Sequence, residues 1–243
     1  FDVHHIISDG TSMNVFIKEF MTVYSGENIP TPRTRYRDFS EWQKKQLKSA
    51  EIKQQGTYWL EVFNDDVPLL NIPTDYPRWR DGIAVENGGK NTPTIDIESH
   101  NDTGSGKPEG GTLYFTVNRE TRQKLLFLEK ISGATLYMIL LAAYNVLLMR
   151  YSGLEDIVVG TISSGRTHPH LENLIGVMIS TLALRNYPYR EKSFVDFLHE
   201  VKSNCLSAFE NSDYPYEELL QNIRVTGARP EPFIRYYVPA AKP

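Results

Sequence analysis

The stretch that decides the fold class is ATLYMILLAAYNVLLMRYSGLEDIVVG, residues 134–160. Its first half is almost entirely apolar, but it is shorter than the roughly 20 residues that cross a bilayer, and Asn145 interrupts it. We therefore predict a buried helix over residues 134–150. The next apolar run, residues 156–160, predicts a short strand that is buried on both faces.

Hydrophobic spacing on either side of this stretch predicts further helices and strands. Apolar residues recur at helical spacing over residues 12–24, with Thr11 or Ser12 as the N-cap and Gly26 as the stop. The remaining predicted helices cover 39–62, with a break, 119–130, which ends at Gly133, and 194–209; the remaining predicted strands cover 1–5, 112–117 and 181–185. Strands mixed with long helices predict an α/β or α+β fold with layered packing.

Composition excludes several classes of function. The chain has 243 residues, a net charge of −4 and 40% hydrophobic residues, which suffices for a sizeable core and lacks the basic surface that binds nucleic acid. A single cysteine forms no internal disulfide and excludes zinc sites built on several thiolates, which favours a reducing, cytoplasmic setting. Because Phe1 stands in place of an initiator Met and no signal-peptide pattern follows, we expect a chain cut from a longer protein.

The composition shifts sharply between residues 81 and 111. Seven glycines stand there beside Asn, Ser, Thr and Asp, which is typical of a linker or a mobile loop. The preceding residues 66–80 contain three prolines and predict an extended loop. The predicted division is therefore residues 1–80, a Gly-rich linker over 81–111, and residues 112–243.

One dense polar cluster stands out, the stretch HHIISDG at residues 4–10. Adjacent residues of a strand point to opposite faces, so we expect one of His4 and His5 on the packed side of the sheet and the other toward a cleft. A histidine delivered into a tight turn at Asp9 and Gly10, just before a helix, lies where irregular backbone leaves space for a substrate.

Three alternatives to a catalytic histidine remain open at this point. In the first, the histidine pair is structural. In the second, His5 and Asp9 are metal ligands, which requires further ligands from sequence-distant histidines. In the third, Asp9 is an acid at the helix N-terminus, where it suits the helix dipole, a role that is compatible with any other. A serine nucleophile is disfavoured because no Gly-x-Ser-x-Gly motif is present, and Cys205 lies on an apolar helical face typical of a core. Residues 161–168 form either an ordinary loop or a turn whose amides, with Arg166, hold an anion.

Four ordered motifs carry a resemblance to a known family. They are HHIISDG at 4–10, RYSGLEDIVVGT at 150–161 followed by Gly165-Arg166, the segment from Ile175-Gly176 to TLALR at 181–185, and DYPYEEL at 213–219. Together they resemble the condensation domains of non-ribosomal peptide synthetases, which belong to the acyltransferases similar to chloramphenicol acetyltransferase. The sequence departs from the family at MIST, residues 178–181, where Ser180 stands in place of an asparagine.

The resemblance implies a lobe of the chloramphenicol acetyltransferase type, with a mixed sheet covered by helices, and the tail of another, mostly missing lobe. Residues 1–80 are then the C-terminal part of the first lobe and carry the active-site motif, and residues 112–243 are an incomplete second lobe. It further implies that an arginine of the first lobe, expected upstream of Phe1, pairs with Asp9.

The resemblance also assigns roles to particular residues. It makes His5 the catalytic residue, and it implies no metal. The supporting residues of the active site are His4, Asp9 and Gly10, and the residues assigned to a substrate tunnel or a second-lobe site are Ser180 and Arg166.

The implied activity is amide-bond formation, in which the α-amine of a downstream aminoacyl thioester attacks an upstream acyl or peptidyl thioester. No cofactor is bound directly; phosphopantetheine arms arrive on upstream and downstream peptidyl carrier domains, an adenylation domain is adjacent, and neither nucleic acid nor membrane is a partner. Two alternatives are an epimerisation domain, which shares the double histidine, and a catalytically inactive carrier-docking fragment. A heterocyclising relative is disfavoured because that branch replaces the histidines with aspartate.

Overall fold

The computed structural model describes residues 2–32, 34–73, 78–80, 83–85, 114 and 116–223. Its elements in chain order are α1 (Gly10–Tyr24), α2 (Tyr36–Gln46), α3 (Ala50–Val62), β1 (Arg78–Arg80), β2 (Ile83–Val85), α4 (Arg119–Ser132), α5 (Leu136–Ser152), β3 (Ile157–Ser163), β4 (Ser180–Asn186), α6 (Phe194–Glu210) and α7 (Tyr216–Asn222). Short 3-10 helices at His5–Ile7 and Pro169–Leu171 complete this order.

The centre of the fold is the antiparallel pair β3 and β4, which runs from Ile157 opposite Asn186 to Ser163 opposite Ser180. Helix α5 packs against β3, α6 packs against β4, and the two helices contact each other. Their shared core is apolar and fully buried, and it includes Leu141, Ala142, Val159, Leu184, Phe197 and Val201. Removing these side chains from water is the main force that holds the layers together.

Local signals in the sequence explain the helix boundaries. Helix α5 begins after Thr135, whose side chain accepts the Met138 N–H, and ends at Gly153, which has a φ of 75° that favours glycine. The predicted buried helix and the strand after it are therefore confirmed, as are the predictions for α1, for α2 and α3 with their break, for α4 and for α6. Cys205 on α6 is buried, as expected, and this burial raises the pKa of its thiol to about 12.

The strand predicted over residues 1–5 is wrong. No strand includes residues 2–4, and His5–Ile7 form a 3-10 helix. The Ile6 N–H donates to Nδ1 of His4 at 3.1 Å, so a side chain takes up a backbone donor that a strand would pair with its neighbour. Apolar and polar residues alternate here, but none of the described strands pairs with this segment.

Strands also occur where we predicted loop. β1 lies within the predicted loop of residues 66–80 and β2 within the predicted linker, and the two pair antiparallel over three residues each. Segments this short have no measurable hydrophobic period, so the pattern missed them. The rest of the linker and most of the predicted strand over 112–117 lie outside the described residues; Tyr114 and residues 116–117 belong to no strand.

In the described part of the chain both sheets are two-stranded and antiparallel, whereas a mixed sheet was expected. The connection between β3 and β4 returns to the end of the sheet where it began, and a parallel neighbour would need a crossover instead. Among the described residues no single helix is long and apolar enough to cross a membrane, although α4 and α5, which meet at an angle of 104°, would suffice together by length and composition alone.

Candidate active site

Residues 4–10 form the loop that enters α1. Asp9 caps this helix: its backbone is extended and its Oδ1 accepts the Ser12 N–H at 2.8 Å. Aspartate is favoured at an N-cap because it satisfies a free amide of the first turn and its charge suits the helix dipole. The N-cap predicted at Thr11 or Ser12 is therefore wrong, and the alternative that Asp9 is an acid at the helix N-terminus is confirmed.

The Asp9 carboxylate also holds an arginine from a distant part of the chain. Nη1 of Arg166 lies 2.8 Å from Oδ2 of Asp9, and Nη2 lies 3.0 Å from Oδ1, a two-pronged geometry that matches a guanidinium to a carboxylate. The Met178 N–H donates to Oδ2 at 3.1 Å. The side chains of Arg166 and Asp9 are 4% and 0% exposed, so this is a buried ion pair in which each charge depends on the other.

Glycine is required just before Arg166. Gly165 has a φ of 62°, and a Cβ added there would lie 1.7 Å from the carbonyl oxygen of Met178. The turn at Gly165 therefore packs directly on the Met178 backbone, whose N–H is one of the Asp9 donors. This close approach places the guanidinium and the amide on the same carboxylate.

These contacts set the charge state of Asp9. Burial raises the pKa of its carboxyl, but hydrogen bonds from Arg166, from the Ser12 and Met178 amides and from the Ser12 hydroxyl outweigh it and hold the pKa well below the usual range. Asp9 is thus an ionised and very weak base at neutral pH. Its oxygens already accept hydrogen bonds from these donors, an arrangement that does not favour the alternative in which Asp9 is a metal ligand.

The two histidines differ in what their rings do. Both are exposed, so the expected contrast between a packed and a cleft-facing ring is not found; its basis, the strand, is absent. Nδ1 of His4 accepts the Ile6 N–H and thereby caps the 3-10 helix. Among the described residues, by contrast, nothing forms a hydrogen bond with the ring of His5. His5 is therefore the histidine of this loop whose ring is exposed and has no hydrogen-bond partner among the described residues.

The remaining predicted site residues lie in different surroundings. Ser180 is half-buried and lines a cavity of about 170 Å³, and its hydroxyl donates to the Ser212 carbonyl at 3.3 Å. Arg166 does not line this cavity, but Met178 does, and thus connects the cavity to the ion pair. Gly10 is the exposed first residue of α1, and a Cβ there would meet no described atom within 4 Å.

The ion pair differs from the one that the resemblance implies. An arginine upstream of Phe1 is the implied partner of Asp9, whereas within this chain the guanidinium of Arg166, 157 residues further along, pairs with its carboxylate. A signal was present, because one of the two interpretations of residues 161–168 was a turn whose amides, with Arg166, hold an anion. In the structure the Arg166 guanidinium holds the carboxylate of Asp9. The Met178 amide had no sequence signal, since backbone donors are common to nearly all residue types.

Comparison with known proteins identifies the family. The family model described as condensation domain matches residues 1–237, so the chain belongs to the condensation domain family, and the resemblance is confirmed. The chain is 44% identical over 224 residues to gramicidin S synthase 2 of Brevibacillus brevis and 41% identical over 224 residues to tyrocidine synthase 3 of Brevibacillus parabrevis. These alignments cover 92% of this chain but 4% and 3% of those proteins.

A solved structure shares the fold. The first condensation domain of the calcium-dependent antibiotic synthetase, in complex with substrate analogue 3a, superposes with a TM-score of 0.63 at 20% sequence identity. The superposition covers 98% of this chain and 46% of that one. The predicted α/β fold of the chloramphenicol acetyltransferase type is thereby confirmed, and the chain spans about half the length of that structure.

Proposed function

We propose that this chain takes part in forming an amide bond between an upstream acyl or peptidyl thioester and the α-amine of a downstream aminoacyl thioester. The observation that carries the proposal is the buried Asp9–Arg166 pair, which fixes the loop of residues 4–10 while the ring of His5 stays exposed. Membership of the condensation domain family supports the reaction class. The similarity to gramicidin S and tyrocidine synthases supports a place in peptide assembly.

The protein needs to supply little covalent chemistry for this reaction. A thioester is already activated, so the main task is to align amine nitrogen and carbonyl carbon at near-attack distance. The C–N bond forms as the C–S bond breaks, the thiol leaves, and the amine loses a proton. An imidazole is the side chain that most often serves as a general acid or base, so the ring of His5 is suited to accept or relay that proton.

The other residues have supporting roles in this proposal. Asp9 stays ionised and holds Arg166, His4 caps the 3-10 helix, and Gly10 starts α1 without a side chain. Ser180 lines a cavity beside the ion pair and is proposed to face the substrate tunnel. The thioesters are proposed to arrive on phosphopantetheine arms of upstream and downstream carrier domains, with an adenylation domain adjacent; this arm is substrate tether, not a resident cofactor.

The test is a condensation assay on the natural full-length polypeptide with loaded donor and acceptor carriers, read by mass spectrometry of the product. His5→Ala should lower the rate by at least about 100-fold, the usual contribution of a positioned acid or base, with the melting temperature nearly unchanged. His4→Ala is the matched control for removing an exposed imidazole, and should lower melting temperature and rate together. A normal rate in His5→Ala contradicts the proposed role.

Two further experiments test the alternative functions, epimerisation and carrier docking. Supplying a single loaded carrier and following the chirality of its α-carbon tests for epimerisation. Titrating unloaded carrier against the wild-type protein tests for docking. Chirality exchange without condensation, or carrier binding without any product, would replace the proposed function by the corresponding alternative.

A further inference from the structure

The hydroxyl of Ser12 lies at a meeting point of three chain segments. Ser12 is fully buried in the first turn of α1. Its Oγ lies 2.8 Å from Oδ1 of Asp9, 2.8 Å from the carbonyl oxygen of Gly176, 3.0 Å from the Gly176 amide and 3.0 Å from Nη2 of Arg166. Four polar partners around one hydroxyl exceed what capping a helix requires.

The hydrogen-bond capacity of a serine hydroxyl shows which contacts are shared. It has one proton to donate and two lone pairs to accept. The Gly176 amide and Arg166 Nη2 fill the lone pairs, and the single proton lies between Asp9 Oδ1 and the Gly176 carbonyl. Both polar groups of the Gly176 residue thus face the same hydroxyl, which joins this segment to the ion pair.

The opposite side of Gly176 is closed by Tyr36. A Cβ added at Gly176 would lie 2.0 Å from Cδ2 of the Tyr36 ring, and the Tyr36 hydroxyl donates to the Val177 carbonyl at 2.9 Å. Arg166 Nη2, whose two protons are shared among several acceptors, also lies 3.1 Å from the Leu174 carbonyl oxygen. The segment of residues 174–178 is therefore held between α2 on one side and the Ser12 hydroxyl on the other.

We propose that Ser12 is a positioning residue for the condensation reaction. Its hydroxyl fixes the Gly176 peptide against the Asp9–Arg166 pair, so the loop that carries His5 and the segment that leads to Ser180 keep one relative position. This inference rests on the proposed function. Ser12 touches none of the reacting atoms; it acts through Asp9, Arg166 and the residue 174–178 backbone.

The variant that tests this is Ser12→Ala, with Ser152→Ala as its control. Ser152 is a half-buried serine at the end of α5, outside the candidate site, and its hydroxyl donates to the Leu148 carbonyl at 2.8 Å. In the full-length polypeptide Ser12→Ala should lower kcat roughly 10- to 100-fold, the effect of a displacement of about 1 Å at a reacting centre. The KM for loaded acceptor carrier should stay near the wild-type value, and Ser152→Ala should change neither kcat nor KM.

A second measurement does not depend on catalysis. Hydrogen exchange of the Gly176 and Met178 amides should be faster in Ser12→Ala than in wild type and unchanged in Ser152→Ala. Ser12→Cys keeps the space filled but replaces the hydroxyl with a weak donor, and it takes the place of Ser12→Ala if that variant does not fold. A wild-type kcat or a wild-type exchange rate in the Ser12 variant overturns the proposal. A wild-type protein that makes no product refutes the proposed function, while the exchange rates still decide on Ser12.

Discussion

Replacing Arg166 by methionine tests whether the buried ion pair holds the candidate site together. The substitution keeps an apolar side chain in place but leaves the Asp9 carboxylate, 0% exposed, without its cation. Removing one partner of a buried pair costs about 3 to 5 kcal/mol, because the remaining charge is neither hydrated nor compensated. We expect a loss of unfolding free energy of this size in Arg166→Met.

Two comparisons show whether the loss comes from the unpaired charge. In the double variant Asp9→Asn with Arg166→Met neither charge remains, and asparagine still caps α1, so most of the lost free energy should return. Lys124→Met removes the cation of an exposed pair with Glu120, in which both side chains are 75% exposed. Exposed pairs on a helix contribute only about 0.3 to 0.5 kcal/mol, so this variant should unfold almost like wild type.

The assay is equilibrium unfolding in urea, followed by circular dichroism. With a slope near 2 kcal/mol per molar urea, a loss of about 3 to 5 kcal/mol moves the midpoint down by about 1.5 to 2.5 M. A midpoint shift below about 0.5 M in Arg166→Met would refute the reasoning. So would a double variant that is less stable than Arg166→Met, because it would show that the carboxylate needs no cation.

The same pair predicts how stability depends on pH. The pKa of Asp9 is lower in the folded chain than its unfolded value of about 3.9. The unfolded state therefore takes up a proton first, so the contribution of Asp9 is fully present above about pH 4 and is lost as the pH falls further toward the folded pKa. Wild type should lose more stability than the double variant between about pH 4 and pH 2.

Gly165 and Cys205 give two further predictions, one on stability and one on thiol reactivity. Gly165→Ala should lower the free energy of unfolding by more than the roughly 1 to 2 kcal/mol of a left-handed non-glycine residue, because its Cβ would overlap the Met178 carbonyl. Gly153→Ala, where φ is 75° and no described atom lies within 4 Å of a Cβ, should lower it by only that amount. Equal urea midpoints of the two variants would contradict this prediction. Cys205, fully buried and with its pKa raised to about 12, should react with a thiol probe such as dithiobis(nitrobenzoate) only when the chain unfolds, and fast labelling of the native protein would contradict its place in the core.

The core was accessible from the sequence, whereas the geometry of the site was only partly so. The apolar run over residues 134–150 predicts a buried helix without ambiguity, because both its length and the capping residues at its ends are those of a helix. Residues 1–5 alternate like a strand, but alternation is a strand signal only where a neighbour exists to pair with. Asp9 was visible as an acid before a helix, while its pairing with Arg166 depends on how segments 157 residues apart approach in space. Local sequence patterns indicated an anion holder at Gly165-Arg166 as one possibility, but they do not show which distant acid it meets.

The charge state of Asp9 bears on which group of the loop of residues 4–10 accepts a proton in the proposed reaction. A carboxylate held ionised by Arg166 has little affinity for a proton, so within the loop of residues 4–10 it is a poor choice for a base at neutral pH. The ring of His4 already accepts a backbone amide at Nδ1. Of the titratable groups in this loop, His5 thus remains the one whose ring is exposed and unengaged by described residues. The contacts that make Asp9 a good support are the same contacts that direct proton transfer, in the proposed reaction, to His5.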